Sequence, residues 1–512
     1  MSKIKTLLGL ACLTTAVNTV LADVQLPKIF SDNMVLQRDT HLPIWGTASP
    51  GEVVTVTLDQ QTVKTEANKK GKWKIKLAPV KLGDPRTLTI TGNNKIVLKN
   101  VLIGDVWLCS GQSNMEMGVK ASNNSAEEIA NANYPNIRLF VVPRAMSKTP
   151  QDNFIKKPAK WAECSSKSIK EGTWGSFSAA AYYFARKVYK ETQIPIGLIQ
   201  SSWGGTKIEP WTPPEGFSAV PELKDIADKL DDRKNTQLAI VQVEKWLKQA
   251  KAALKNNTKL PAPINAPKTI EKYYRPPTAL YNSMIHPLVP FAIKGILWYQ
   301  GESNRLDKEL YYYKMKALIT GWREVWKKPN MPFYYVQIAP FKYNSKGDKK
   351  GYALPALCQA QTKALDIPHT GMAIINDIGN LKNIHPKNKQ EVGRRLALLA
   401  LSRTYKQNVG VDSGPIFDSM KIDGNQVIIS FKFVGKGLKT RDNEAPNWFE
   451  VAGEDGKFVK ADASINGNQV VVSAKSVKNP TAVRFAWHQT ALPNLTNQKG
   501  LPASCFSTEK KK

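Results

Sequence analysis

Histidine and cysteine are scarce in this sequence, five of each in 512 residues. The cysteines (Cys12, Cys109, Cys164, Cys358 and Cys505) lie far apart with no Cys-x-x-Cys pair, a pattern that argues against a zinc ribbon or finger. No metal or cofactor is expected. Acidic residues are also short, 42 against 73 Lys and Arg, for a formal charge of +31. Such a field attracts polyanions. The lysines are nevertheless spread over all regions, and no helix-turn-helix, RNP-like or zinc-finger pattern accompanies them. A lysine-rich solubilising surface accounts for the charge, and no nucleic-acid partner is expected. Beyond the first residues no apolar run approaches the roughly 18 residues of a membrane span, so no integral membrane segment is expected.

The start of the chain reads as a secretory signal. Lys3 and Lys5 precede an apolar run over 7–17, and Val20-Leu21-Ala22 supplies small residues for cleavage before Asp23. Gly9-Leu10-Ala11 before Cys12 is a poor lipid-attachment signal. A secreted or periplasmic, soluble protein is expected; export permits a disulfide, but the spacing assigns none.

Ordinary composition, 42% hydrophobic and 22% charged, and this length allow two or three folded regions with a large core. From 23 to 100 the pattern is short alternating strands, at 53–58, 73–77, 87–90 and 95–98, the last two flanking Gly92-Asn93-Asn94 as in a hairpin. This predicts a small β-sandwich. From 101 to 406 strands and helices alternate, which predicts an α/β parallel sheet covered by helices. Strands are expected at 101–109, 196–200, 293–299, 333–338 and 372–376, and helices at 177–188, 309–326, 354–364 and 389–405. A lysine-rich helical stretch and a Pro-rich one form an insertion near 215–277. From 407 to 512 the chain returns to β structure, with 423–430 and 466–473 resembling two copies of one hairpin.

The apolar run at 101–109 leads into Ser110-Gly111-Gln112-Ser113-Asn114-Met115, a small and polar turn before a possible helix. A strand end beside a helix start exposes a reactive side chain next to free backbone N–H groups, which makes Ser113 the candidate nucleophile. Parallel strands bring their C-terminal ends to one edge. The turns Ser201-Ser202-Trp203-Gly204-Gly205-Thr206, Gln300-Gly301-Glu302-Ser303-Asn304 and Asp377-Ile378-Gly379-Asn380 therefore share a crevice with Ser113. Glycine N–H groups and amide side chains there suit oxyanion stabilisation. Of the five histidines, His41 and His488 fall in β regions, His286 precedes a strand, and His369 sits in a loop before one. Only His385 follows a strand end and precedes a long amphipathic helix, so it is the candidate base.

Ser-Gly-Gln-Ser-Asn-Met at 110–115, Trp-Gly-Gly-Thr-Lys-Ile-Glu-Pro-Trp at 203–211, Trp-Tyr-Gln-Gly-Glu-Ser-Asn at 298–304 and Asn-Ile-His-Pro at 383–386 resemble the sialate O-acetylesterase family of SGNH hydrolases. The similarity runs from Ile29 to Ser504. It implies an SGNH-type three-layer α/β/α hydrolase with flanking β-sandwich-like regions. Ser113 matches the family nucleophile and His385 its base. Gly204 or Gly205 matches the second block, whose N–H joins that of Ser113 in the oxyanion hole. Gln300 or Asn304 supplies the third block, with Gln300 preferred because it ends the strand. Gln112, Asn114, Trp203, Glu209 and Glu302 are candidate substrate contacts, Glu209 having an ion pair as its alternative. One departure concerns the triad acid. These enzymes usually carry Asp three residues before the histidine, where this chain has Lys382, with Asn383 next. Asp377 is the nearest preceding carboxylate and the candidate acid. The alternatives are Glu302, or a Ser–His dyad backed by a backbone carbonyl.

The activity implied is a secreted serine esterase that removes O-acetyl groups from a sugar, sialic acid or a plant-type polysaccharide, through an acetyl-enzyme. The competing class is a catalytically silent carbohydrate-binding protein on the same fold. A lipase is disfavoured, because the serine turn lacks Gly-x-Ser-x-Gly.

Overall fold

The computed structural model describes residues 23–157, 160–230, 232–262 and 275–509. The expected signal at 1–22 lies outside the described residues, as does part of the expected insertion. Among the described residues, no helix is long and apolar enough to cross a membrane.

The central sheet is built around one strand, Lys95–Gly111. Its sheet neighbours, in order, run Thr370–Ala373, Phe333–Val336, Gly295–Tyr299, Lys95–Gly111, Ile196–Ser202 and Asn133–Val141, all paired in parallel, with Ala162–Ser165 antiparallel at the edge. Side chains alternate across the sheet with period two. Trp107, Cys109, Leu297 and Tyr299 pack with Phe184 and Val188 of the helix Ala179–Thr192 and with Val392 and Leu396 of Lys389–Leu399. Val106, Leu108, Ile296 and Trp298 pack on the opposite face with Leu318 and Trp322 of Leu310–Val325 and with Leu354 and Leu357 of Ala353–Lys363. Both faces are covered, so the strands read as continuous apolar runs. The three-layer α/β arrangement is the one the sequence predicted.

Two features differ from the sequence reading. Lys95–Gly111 crosses the expected boundary at residue 100: its first half pairs antiparallel with Arg86–Thr91, its second half lies in the parallel sheet. The strand Asn133–Val141 was not expected, because Pro135 and flanking polar residues hide its alternation. The predicted hairpins near the C-terminus pair with each other, Gln426–Lys432 against Gln469–Ser473, in a four-stranded sheet. This C-terminal β region is tied to the hydrolase sheet: Asn376 Nδ2 donates to the Ala503 carbonyl at 2.7 Å and Gln337 Nε2 to Ser504 Oγ at 2.8 Å.

Candidate active site

Ser113 opens a short helix, Ser113–Glu116, directly after the central strand. The turn needs glycine at 111: its φ is 139°, and a Cβ there would lie 2.2 Å from the Tyr299 carbonyl oxygen of the adjacent strand. The strand order reverses at Lys95–Gly111, so Ser113 stands at the topological switch point, where open α/β sheets bind ligands. As the first helical residue it has no intrahelical acceptor for its N–H.

His385 comes from the loop after Thr370–Ala373. Its Nε2 lies 2.9 Å from Ser113 Oγ, and its backbone N–H donates to Asn383 Oδ1 at 2.9 Å, which fixes the loop. The half-exposed Trp174 stands edge-on to the imidazole, ring centres 4.9 Å apart. Burial, and then the neighbouring Lys389, hold the imidazole below its ordinary value of 6.5. A neutral imidazole beside a serine hydroxyl can take its proton. Among the described residues, no carboxylate or carbonyl hydrogen-bonds to Nδ1.

That geometry corrects the expectation for Asp377. Its carboxylate is held by a forked pair with Arg395, Oδ1 to Nη1 at 2.6 Å and Oδ2 to Nη2 at 2.7 Å. The guanidinium, 4% exposed, thus holds both carboxylate oxygens, and among the described residues Asp377 makes no hydrogen bond to His385. Glu302 is also directed elsewhere, accepting from Asn114 Nδ2 at 2.6 Å.

The amides expected in the oxyanion hole are likewise occupied. Gln300 is fully buried; its Nε2 donates to Asn304 Oδ1 at 2.7 Å and to Gln112 Oε1 at 3.1 Å, and its Oε1 accepts from Tyr311 at 2.6 Å. Asn304 Nδ2 donates to Asp307 at 2.6 Å and Glu209 at 3.0 Å. Glu209 completes its contacts with Lys314 at 2.7 Å, so the ion pair, not a substrate contact, describes it. Gln112 Oε1 also accepts from the Ser303 N–H at 3.2 Å. Buried amides at these turns lock the loops together, since each unmade bond would leave a desolvated polar group. Gly204 approaches Ser113 closely, a Cβ there falling 3.3 Å from Ser113 Cβ, but its N–H donates to Glu116 Oε2 at 2.7 Å. Gly205, at φ 68°, has an N–H without a hydrogen bond to any described residue.

Trp203, half-buried, is the expected substrate contact that stays at the crevice. The Arg275 guanidinium stacks 4.7 Å and that of Arg144 5.9 Å from its ring centre. Arg144 pairs with Glu116, and Arg275 donates to the Gly204 carbonyl at 2.9 Å. The sequence reading missed Glu116, Arg144, Trp174, Arg275 and Lys389. Glu116 and Lys389 are detectable in hindsight, three residues after Ser113 and four after His385; the arginines and Trp174 arrive from distant loops without a local signal.

The fold and the site are those of an α/β/α hydrolase. A family model for carbohydrate esterases described as sialic acid-specific acetylesterases matches residues 103–258 and 264–402. The sialate O-acetylesterase of Rattus norvegicus is 30% identical over 500 residues, covering 90% of this chain and 88% of the relative; that of Homo sapiens is 28% identical over 497 residues, covering 89% and 86%. The crystal structure of a carbohydrate acetylesterase from Xanthomonas citri superposes with a TM-score of 0.81 at 33% identity, covering 95% of this chain and all of that one. The chain belongs to the sialic acid-specific acetylesterase family of carbohydrate esterases. It is a carbohydrate O-acetylesterase.

Proposed function

We propose that the protein is an exported serine esterase that removes O-acetyl groups from sugars, with Ser113 as nucleophile and His385 as general base. The 2.9 Å approach of Nε2 to Ser113 Oγ is the observation that carries this reading. Oγ attacks the acetyl carbonyl as its proton passes to Nε2. The tetrahedral oxyanion draws on the N–H groups of Ser113 and Gly205, and collapse expels the sugar hydroxyl with the proton from His385. Water then attacks the acetyl-enzyme by the same route in reverse and releases acetate. Trp203 supports a sugar face, and the positive charge of Arg275 stacked on its ring favours a carboxylate-bearing sugar such as a sialic acid over a neutral plant polysaccharide.

Acetate release from acetylated sialic acid, xylan and xyloglucan tests this reading, with the acidic sugar expected to be turned over fastest. The turns around Ser113 carry polar side chains and bulky aromatics, which disfavour a long acyl chain. An acetyl ester is therefore expected to exceed the octanoyl ester in kcat/KM by at least about tenfold, the scale of a few unburied methylenes. Comparable values on both esters would overturn the preference for acetyl and revive the lipase reading.

The pH dependence follows from the histidine. Because the folded imidazole is held below 6.5, it stays neutral, and competent as a base, at pH values where a solvated histidine is protonated. The acid limb of kcat/KM is expected below pH 6.5. An acid limb at or above 6.5 would contradict it.

A further inference from the structure

Lys389 breaks three local rules at once. It is a fully buried cation, 0% exposed, and burial costs a charge dearly unless it is paired. It occupies the first position of the helix Lys389–Leu399, where the positive end of the helix dipole disfavours a cation. Among the described residues it has no carboxylate within ion-pair distance; its Nζ donates to the Asn114 side-chain oxygen at 2.7 Å. Stability alone would not select such a residue, so a role in the site is the natural explanation.

Its surroundings define that role. Asn114, next to Ser113 and 1% exposed, takes Lys389 on its oxygen and directs its Nδ2 to Glu302 Oε1 at 2.6 Å and to the carbonyl of Ile384 at 3.0 Å. Ile384 immediately precedes His385. One amide thus clamps the serine turn to the histidine loop, polarised by a cation at one end and a buried carboxylate at the other. The ammonium also faces the Tyr299 ring, 5.0 Å from its centre. Tyr299 is buried and its phenol sits well above the ordinary range, so it remains neutral. The remaining charges of the helix, Glu391, Arg394 and Arg395, are paired with each other and with Asp377. Burial pushes the ammonium down to about 7, against the opposing pull of Glu302, while burial pushes the Glu302 carboxyl up.

We propose that Lys389 is a positioning residue: through Asn114, whose amide also bonds the carbonyl of Ile384 beside His385, it holds Ser113 and His385 in register. This inference rests on His385 acting as the base.

Two substitutions test the clamp. Lys389→Gln retains a donor for Asn114, so plateau kcat should stay within about threefold of wild type. Lys389→Met removes the donor, so plateau kcat should fall at least about tenfold. A folded Met variant with full plateau kcat, or a folded Gln variant that falls as far as Met, overturns the proposal. Should neither variant fold, Asn114→Ala cuts the same clamp from its other end: a folded protein with full plateau kcat overturns the proposal, and a loss of at least about tenfold supports it. These outcomes are distinct from failure of the esterase reading, which a fully active Ser113→Ala variant would reveal.

Discussion

A folded Ser113→Ala variant is expected to lose at least about a thousandfold in acetyl-ester kcat, the usual scale for a missing nucleophile in such a site. The change should leave the fold intact. Ser113 caps no side-chain network, its Oγ bonding only to His385 Nε2, so alanine creates no buried orphan and no cavity beyond one oxygen. The near-equality of the wild-type and variant unfolding midpoints would separate loss of chemistry from loss of structure. A folded variant that keeps near-full activity would exclude the serine mechanism. Residual turnover around the thousandfold level is compatible with it, since backbone donors and substrate positioning persist without the nucleophile.

Asp377→Asn is expected to do the opposite: to cost stability and spare chemistry. The carboxylate neutralises Arg395, which is 4% exposed and also donates to the Ile374 carbonyl at 2.6 Å. Removing the charge leaves a guanidinium balanced only by Glu391, at 3.2 Å. A loss of about 2 to 4 kcal/mol follows, somewhat below the range for a broken buried pair because Asp377 is 15% exposed. Plateau kcat should drop by less than about tenfold, because Asp377 does not reach the imidazole. Denaturant unfolding together with steady-state kinetics checks both halves. A loss of several decades in kcat without a loss of stability would restore Asp377 as the triad acid.

The contrast between these residues shows what the linear sequence could and could not reveal. The meeting of Ser113 and His385 at one edge was legible because each is constrained locally: one sits at a strand end followed by a small polar turn, the other is the single histidine placed after a strand and before a long helix. The two-layered helical cover followed from apolar strands alternating with amphipathic helices. Asp377 met the same positional criterion as His385, at the end of a strand on the correct edge, yet it belongs to an ion pair with a residue one helix further on. Gln300, Asn304 and Glu209 likewise lay at the right turns and proved to bond one another and Lys314.

The sequence by itself determined the periodicities, and hence most of the α/β strands and helices, Asn133–Val141 excepted, and the shared edge where their loops meet. The tertiary structure alone decided which polar group each buried side chain would find. A period-two or 3.6-residue pattern depends on a few neighbouring residues and is written into them. The partner of a buried amide or charge is chosen instead by desolvation, from whatever donors and acceptors lie within about 3 Å in space. Asn114 thus meets Glu302 and Lys389, 188 and 275 residues further along the chain. The strand Lys95–Gly111 belongs to two sheets for the same reason: its alternation specifies a strand, but only the partners packed along it decide where one sheet gives way to the next.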